Sequence, residues 1–274
     1  MALSINSNIS SIIAQRNLNR NTTALGETYR RLSSGLRVNS AADDAAGLAI
    51  SNRVTAQIRG INQAVRNAND AVSMMQVAES ALEETGNALQ RIRELAVEAA
   101  NSTYTSEDRN SLQVELNALL DEIERIKTDT QFNNQYLLAG SMNGKRIQVG
   151  AYSGQYISVT IASAGKSALG VELAVVSGAT WSKAASTITL MDGALTSVSD
   201  IRANLGVMQT RFESAIANLE TVGTQLTAAR SRILDADMAT ETADLVRRSI
   251  LQQAGVAVLA QANQQPQSIL KLLG

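Results

Sequence analysis

A mainly α protein, a long antiparallel coiled-coil helical bundle with a small β-hairpin-rich insert at its tip, is predicted by three observations. Apolar residues are 45% of the chain but aromatics only 3%, so the apolar content is Ala, Leu, Ile and Val, which suits long helices packed side by side. A single proline, Pro266, stands in 274 residues, which leaves helices almost no obligatory break. Apolar positions also recur with alternating spacings of about four and three residues, the heptad seam of a coiled coil.

Four such seams run along the chain. Leu18, Thr22, Leu25, Tyr29, Leu32 and Leu36 form the first. Val54, Ile58, Ile61, Val65, Ala68, Val72 and Met75 form the second, and Leu112, Leu116, Leu119, Ile123 and Ile126 the third. The longest is Ile201, Leu205, Met208, Phe212, Ala215, Leu219, Val222, Leu226, Ala229 and Ile233, with Leu219 expected in the core. Ser40-Ala-Ala-Asp43, Thr105-Ser-Glu-Asp108 and Ser197-Val-Ser-Asp200 read as capping boxes, in which a hydroxyl and a following acid satisfy the free N–H groups of a helix start. They place helices at about 3–34, 41–100, 106–128, 197–234 and 237–271, with Gly35 as a C-terminal cap. The second would be roughly 90 Å long at about 1.5 Å per residue.

Between about 140 and 195 Gly, Ser and Thr rise and short alternations appear. Arg146–Val149 and Tyr156–Ile161 flank Gly150-Ala-Tyr-Ser-Gly154, which reads as a β-hairpin. Val171–Val176 and Thr187–Leu190 are candidate further strands. Because the flanking helices can pair without it, this insert is expected to be dispensable for stability.

Composition narrows the function. The chain has no Cys and no His, which removes thiolate nucleophiles, imidazole bases, disulfides and the usual zinc ligands. The carboxylate pair Asp43-Asp44 suits a helix start favoured by the macrodipole. Glu83-Glu84, Glu107-Asp108 and Asp121-Glu122 suit solvated faces, and Met74-Met75 a core. No catalytic group, cofactor or metal site is expected, and the chain is not read as an enzyme. A net charge of −1 gives no electrostatic case for nucleic acid. No apolar stretch is long enough to span a bilayer, and Met1–Asn8 lacks the features of a cleaved signal peptide.

Both ends are poor in charge. Only Arg16 and Arg20 are charged in the first 26 residues, and only Lys271 after Arg248. Ala254–Ala260 is apolar around its whole circumference, and a helix apolar on all sides must be buried on all sides. Two terminal helices cover only one face of each other, so the remaining cover is expected from other molecules. The candidate contacts are Ile5, Ile9, Ile12, Leu251, Val256, Val258, Leu259 and Leu270.

The segment Ser33-Ser-Gly-Leu-Arg-Val-Asn-Ser-Ala-Ala-Asp-Asp-Ala-Ala-Gly-Leu-Ala-Ile-Ser51 resembles the most recognisable stretch of the bacterial flagellins. Arg232–Asp237, Ile250–Gly255 and Leu259–Gln267 resemble their C-terminal region. The resemblance covers about 1–140 and 195–274. It implies a structural subunit that self-assembles into the flagellar filament. Residues 1–40 and 235–274 would pair as an inner-tube coiled coil, 41–140 and 195–234 would form a helical rod, and 141–194 a β-rich outer insert. It also implies an extracellular filament reached through the flagellar type III export apparatus, without a cleaved signal peptide. The implied partners are further copies of the chain, an export chaperone at the C-terminal helix, and the filament cap and hook–filament junction proteins. Leu89-Gln-Arg-Ile-Arg-Glu-Leu-Ala96 is similar to the flagellin strip recognised by an animal Toll-like receptor, with Arg91, Leu95 and Glu115 as the implied contacts. Read from its own pattern, the strip has Leu89 and Ile92 facing the bundle.

Two alternatives share parts of this pattern. A hook–filament junction protein carries both terminal arms but resembles Ser33–Ser51 more weakly. A cytoplasmic coiled-coil signalling bundle has long Ala-rich heptads, but needs an adaptor-binding hairpin tip and usually a membrane segment.

Overall fold

The computed structural model describes the backbone of residues 7–273 and the side chains of residues 7–264. Among these, the helices are α1 (Ile9–Ser34), α2 (Ala45–Ala99), α3 (Ser106–Asp129), α4 (Ser182–Leu234) and α5 (Met238–Leu273). Two short antiparallel ladders accompany them: β1 (Gln131–Phe132) with β2 (Gln135–Tyr136), and β3 (Lys145–Gln148) with β4 (Tyr156–Val159). The fold is mainly α, as the sequence predicts. The chain divides into two units, Met1–Ala56 with Gln225–Gly274, and Gln57–Thr224.

In the first unit α1 and α5 pair antiparallel. Asn8 caps α1 by accepting from the Ser11 N–H at 3.0 Å, and its amide donates to the Ala262 carbonyl at 2.7 Å. Towards the other end Arg31 meets Glu241 at 3.3 Å. The less exposed positions of α1, among them Ala14, Leu18, Asn21, Leu25 and Thr28, keep the three–four spacing. Thr22 and Tyr29, read as seam positions, are exposed instead. The period is as predicted and Leu18, Leu25 and Leu32 keep their places, while Asn21 and Thr28 stand in the seam instead of Thr22 and Tyr29. Across the seam, a Cβ added at Gly255 would come within 3.3 Å of Leu18 Cδ1, so the missing side chain lets the helices approach closely. Gly35 ends α1 in the left-handed region at φ 71°, which only glycine adopts freely. Beyond it Arg37 N–H donates to Leu234 O at 2.6 Å and Ala236 N–H to Gly35 O at 2.9 Å. These bonds join the α1–α2 and α4–α5 connections.

The second unit is built on α2. Its buried positions Ile61, Ala64, Ala68, Ala71, Met75, Ala78, Leu82, Thr85, Leu89, Ile92, Ala96 and Ala99 alternate spacings of three and four without interruption. α4 runs antiparallel beside it, with Arg202 on Glu79 at 2.8 Å and Arg93 on Asp192 at 2.7 Å. α3 begins on the predicted capping box. Thr105 Oγ1 accepts from the Asp108 N–H at 3.2 Å, and Asp108 accepts from the Thr105 N–H at 2.9 Å. The buried Arg109 then donates to the carbonyls of Ala99 and Asn101 at 2.9 and 3.1 Å, which satisfies free acceptors at the end of α2.

Several expectations are corrected. α1 begins at Ile9 and α2 at Ala45. The Ser40–Asp43 motif closes a turn, and Asp44 accepts from the Gly47 N–H at 2.8 Å to start the helix. α4 begins at Ser182, so Thr187–Leu190 is helical rather than a strand, and 182–194 is not part of a β-rich insert. Ser197 lies inside the helix, donating to Gly193 O at 3.0 Å. The seam residues Ala184, Thr187, Met191, Ala194 and Val198 are buried, and that burial outweighs the strand-like alternation. Val171–Val176 is irregular; its path is set by Gln113, which accepts from the Val176 and Ser177 N–H groups at 2.6 and 3.1 Å. The β3–β4 hairpin does not cap the end of the helices. It folds back along α2, where Asn67 donates to Gln148 O at 3.1 Å and the Gln57 amide meets the Tyr152 hydroxyl.

Candidate assembly surface

The pairing of α1 with α5 leaves large apolar side chains outside the seam. Ile9, Ile12, Leu251, Val256 and Val258 are between 51% and 63% exposed. Exposed aliphatic side chains concentrated on two charge-poor helices mark a contact surface. Leu259 is half-buried on the seam side between Gly255 and Ala262, so it belongs to the pair within one chain. Ile5 lies outside the described residues. Leu270 is placed in α5 by its backbone, and its side chain lies outside the description. Ile13, Val246 and Ile250 join the row, each more than half exposed. The sequence carried the signal of Ile13 and Ile250, which sit in the same charge-poor ends, whereas Val246 lies among Asp244, Arg247 and Arg248.

Polar contacts hold this surface in place at its borders. Asp237 starts α5 by accepting from the Thr240 hydroxyl at 2.9 Å and the Ala239 N–H at 2.9 Å. Those bonds, the hydroxyl first, hold its carboxyl below the usual carboxylate range. Asp43 is lowered in the same way, first by the Ser40 N–H and then by the Ser40 hydroxyl.

On the second unit, Arg91 bridges Glu115 at 2.8 Å and Glu94 at 3.1 Å, all at the surface. The hydrogen bond to Glu115 is the main cause that raises the guanidinium above its ordinary value. Leu95 is 1% exposed and packs in the core with Leu89 and Ile92. The structure therefore brings Arg91 and Glu115 together at the surface, whereas Leu95 is buried in the core and is not presented beside them. Among the described residues no three His, Cys, Asp or Glu side chains are arranged to hold a metal, and no helix is long and apolar enough to cross a membrane.

Residues 5–143 match the family model of the bacterial flagellin N-terminal helical region, and residues 188–273 match that of the C-terminal helical region. The chain belongs to the bacterial flagellin family. It is 46% identical to a flagellin of Halalkalibacterium halodurans over 98% of this chain and 99% of that one. It is 41% identical to a 33 kDa core protein of the flagellar filament of Treponema phagedenis, at the same coverage. The crystal structure of Bacillus cereus flagellin superposes with a TM-score of 0.51 at 30% identity, over 60% of this chain and 94% of that one. A flagellin is a filament subunit, and family membership gives this flagellin that structural role. The matches to both terminal family regions do not favour the junction-protein and signalling-bundle readings.

Proposed function

We propose that this flagellin polymerises through its terminal unit, with α1 and α5 of one copy packing on the same helices of its neighbours. The observation that carries this is the exposure of Ile9, Ile12, Leu251, Val256 and Val258, which stay uncovered although α1 and α5 pair with each other. Burying a Val, Leu or Ile side chain gains about 1.5–3 kcal/mol, so a few such contacts per subunit favour assembly. A contact between unlike faces repeats without closing and yields an open helical polymer. Residues 1–40 and 235–274 then act as the inner layer, 41–140 and 195–234 as a surrounding rod, and the β3–β4 region lies outside.

The exposed apolar side chains of α5 suit an export chaperone that covers them before assembly. In this reading the chain leaves the cell through the flagellar type III apparatus and meets cap and hook–filament junction proteins at the filament ends. It acts outside the cell and catalyses nothing. Recognition by an animal Toll-like receptor would use the exposed Arg91–Glu115 pair, since Leu95 is buried.

Val258→Asp tests the assembly reading. The variant should keep the melting transition of the monomer and fail to form sedimentable filaments. A parent-like yield of filaments would remove the terminal unit from the contact. A melting transition lowered as far as by a core truncation would assign Val258 to the fold instead.

A further inference from the structure

The chain enters β3 through a turn at 141–144, and that turn holds its single Asn-Gly step, Asn143-Gly144. Every other asparagine precedes a residue that carries a Cβ. Asn143 is exposed, and among the described residues its carboxamide makes no hydrogen bond. Gly144 lies in the left-handed region at φ 68°, and no atom stands within 4 Å of the place a Cβ would take. Its N–H donates to the hydroxyl of the exposed Thr160 at 3.2 Å. The turn is held on both sides, by the buried Met142 before it and by the pairing of Lys145 with Val159 after it.

The backbone nitrogen that follows an asparagine can close a five-membered ring on the side-chain carbonyl carbon. A Cβ on the following residue crowds that approach, and glycine removes the crowding. Within a helix the same nitrogen is tied to a carbonyl four residues back. Asn143-Gly144 therefore combines an unhindered nitrogen, a free carboxamide and access for water. One restraint remains on the nitrogen, the Thr160 hydroxyl that holds its proton.

We propose that Asn143-Gly144 is a self-modifying site, at which Asn143 converts to aspartate or isoaspartate under the restraint of Thr160. The Gly144 nitrogen gives its proton to water and attacks Asn143 Cγ. The N–Cγ bond forms, the Cγ–Nδ2 bond breaks, and ammonia leaves with the proton, so the product is a succinimide. Water then opens the ring. Attack at Cγ breaks the new bond and gives aspartate, whereas attack at the main-chain carbonyl gives isoaspartate, with the chain routed through Cβ. No other group takes part, in keeping with a chain that has no Cys or His. Either product places a carboxylate two positions before Lys145, and isoaspartate adds a methylene to the main chain just before the Lys145–Val159 pair. The site lies in the second unit and does not depend on the terminal helices for its chemistry.

Peptide mapping by mass spectrometry tests this on the folded full-length chain, held in mildly alkaline buffer and sampled over time. Asn143 should gain the mass of the amide-to-acid change, as a mixture of aspartate and isoaspartate, on the order of tenfold faster than Asn101. Asn101 is the internal reference: it is exposed on a loop, is followed by Ser102, and its carboxamide accepts from the Thr103 N–H at 3.2 Å. The rate at Asn143 should rise with pH, because the nitrogen attacks as its anion. Thr160→Val, which keeps the branched shape and removes the acceptor, should speed conversion by about threefold. Thr160→Ser keeps the hydroxyl and should stay near the parent rate, which separates the hydrogen bond from a general loosening of the hairpin. Conversion at Asn143 no faster than at Asn101, or conversion seen only after unfolding in denaturant, would overturn the site. A Thr160→Val rate equal to the parent, or matched by Thr160→Ser, would overturn the restraint.

Discussion

Asp43, Asp108 and Asp237 each accept hydrogen bonds from the first turn of a helix or from the turn before it, and each is held below the ordinary carboxylate range. For Asp108 the Thr105 N–H is the main cause and the Thr105 hydroxyl the next. A carboxylate whose folded value is depressed contributes stability that is present above its unfolded value, about 3.9. That contribution is lost as pH falls through the lower, folded value. The melting temperature should therefore drop as pH is taken from about 5 towards 2. Asp108→Asn should melt below the parent at neutral pH, and the two curves should converge in acid. A difference that stays constant across that range would show that the carboxylate charge is not what holds the turn. Of the three, Asp43 and Asp108 stand in motifs that read as capping boxes, and only Asp108 forms one; Asp237 is not read as a cap from the sequence. Ser40–Asp43 has the same composition and closes a turn, because Asp44 captures the helix start one residue later.

The helices themselves were read correctly in kind because a three–four period survives many substitutions. Their phase was read less well. On α2 the larger Val65 and Val72 were placed in the seam, yet they are half-buried while Ala64 and Ala71 are buried. The β3–β4 hairpin lies against this stretch, with Asn67 on Gln148 and Gly60 against Ala151, so side-chain size misleads where the period does not. The start of α4 was missed although its seam can be followed backwards from Phe212 to Ala184. The β1–β2 turn was missed as well. Asn133 and Asn134 lie at φ 48° and 63°, the two positive values a two-residue hairpin turn demands and Asn tolerates. Burial also changes along the α4 seam. Leu205 and Phe212 are fully buried, whereas Leu219 is half-buried and Val222 is 39% exposed. Leu219 is thus not the core position its spacing suggests. Phe212→Ala should cost about 3–5 kcal/mol of monomer stability, and Leu219→Ala about 1 kcal/mol, near half the transfer energy of its side chain. Equal losses in chemical denaturation would show that the seam is covered evenly within one chain.

At the scale of the molecule, the segment between α3 and α4 does more than its sequence suggests. Its Gly, Ser and Thr content reads as a loop that could be replaced by a short linker. Yet Val159, Ile161, Ala164, Leu169, Val171, Ala174 and Val176 are buried in the same cluster as the α2 seam. Polar bonds fasten the segment to both neighbouring helices. Lys166 N–H donates to Glu124 at 3.2 Å, Thr187 exchanges hydrogen bonds with the Val175 backbone at 3.0 and 3.1 Å, and the buried Arg109 reaches the Gly178 carbonyl at 3.4 Å. Removing 145–190 would also take the first turns of α4 with Ala184 and Thr187, which are buried. Loop-closure entropy changes slowly with length, but that argument covers only the chain connection and not the apolar surface left behind. A single buried Val or Leu is worth about 1.5–3 kcal/mol, and a domain is stable by only about 5–15 kcal/mol. A chain lacking 145–190 and closed by a Gly/Ser linker should therefore lose cooperative melting of its second unit and bind hydrophobic dyes. A shorter deletion of 150–154, confined to the β3–β4 turn, should leave melting within a few degrees of the parent. Hydrogen exchange on both deletions separates the outcomes. Protection of α2 and α3 retained in the 145–190 deletion would show that the helices hold without the segment, and that its burial is incidental.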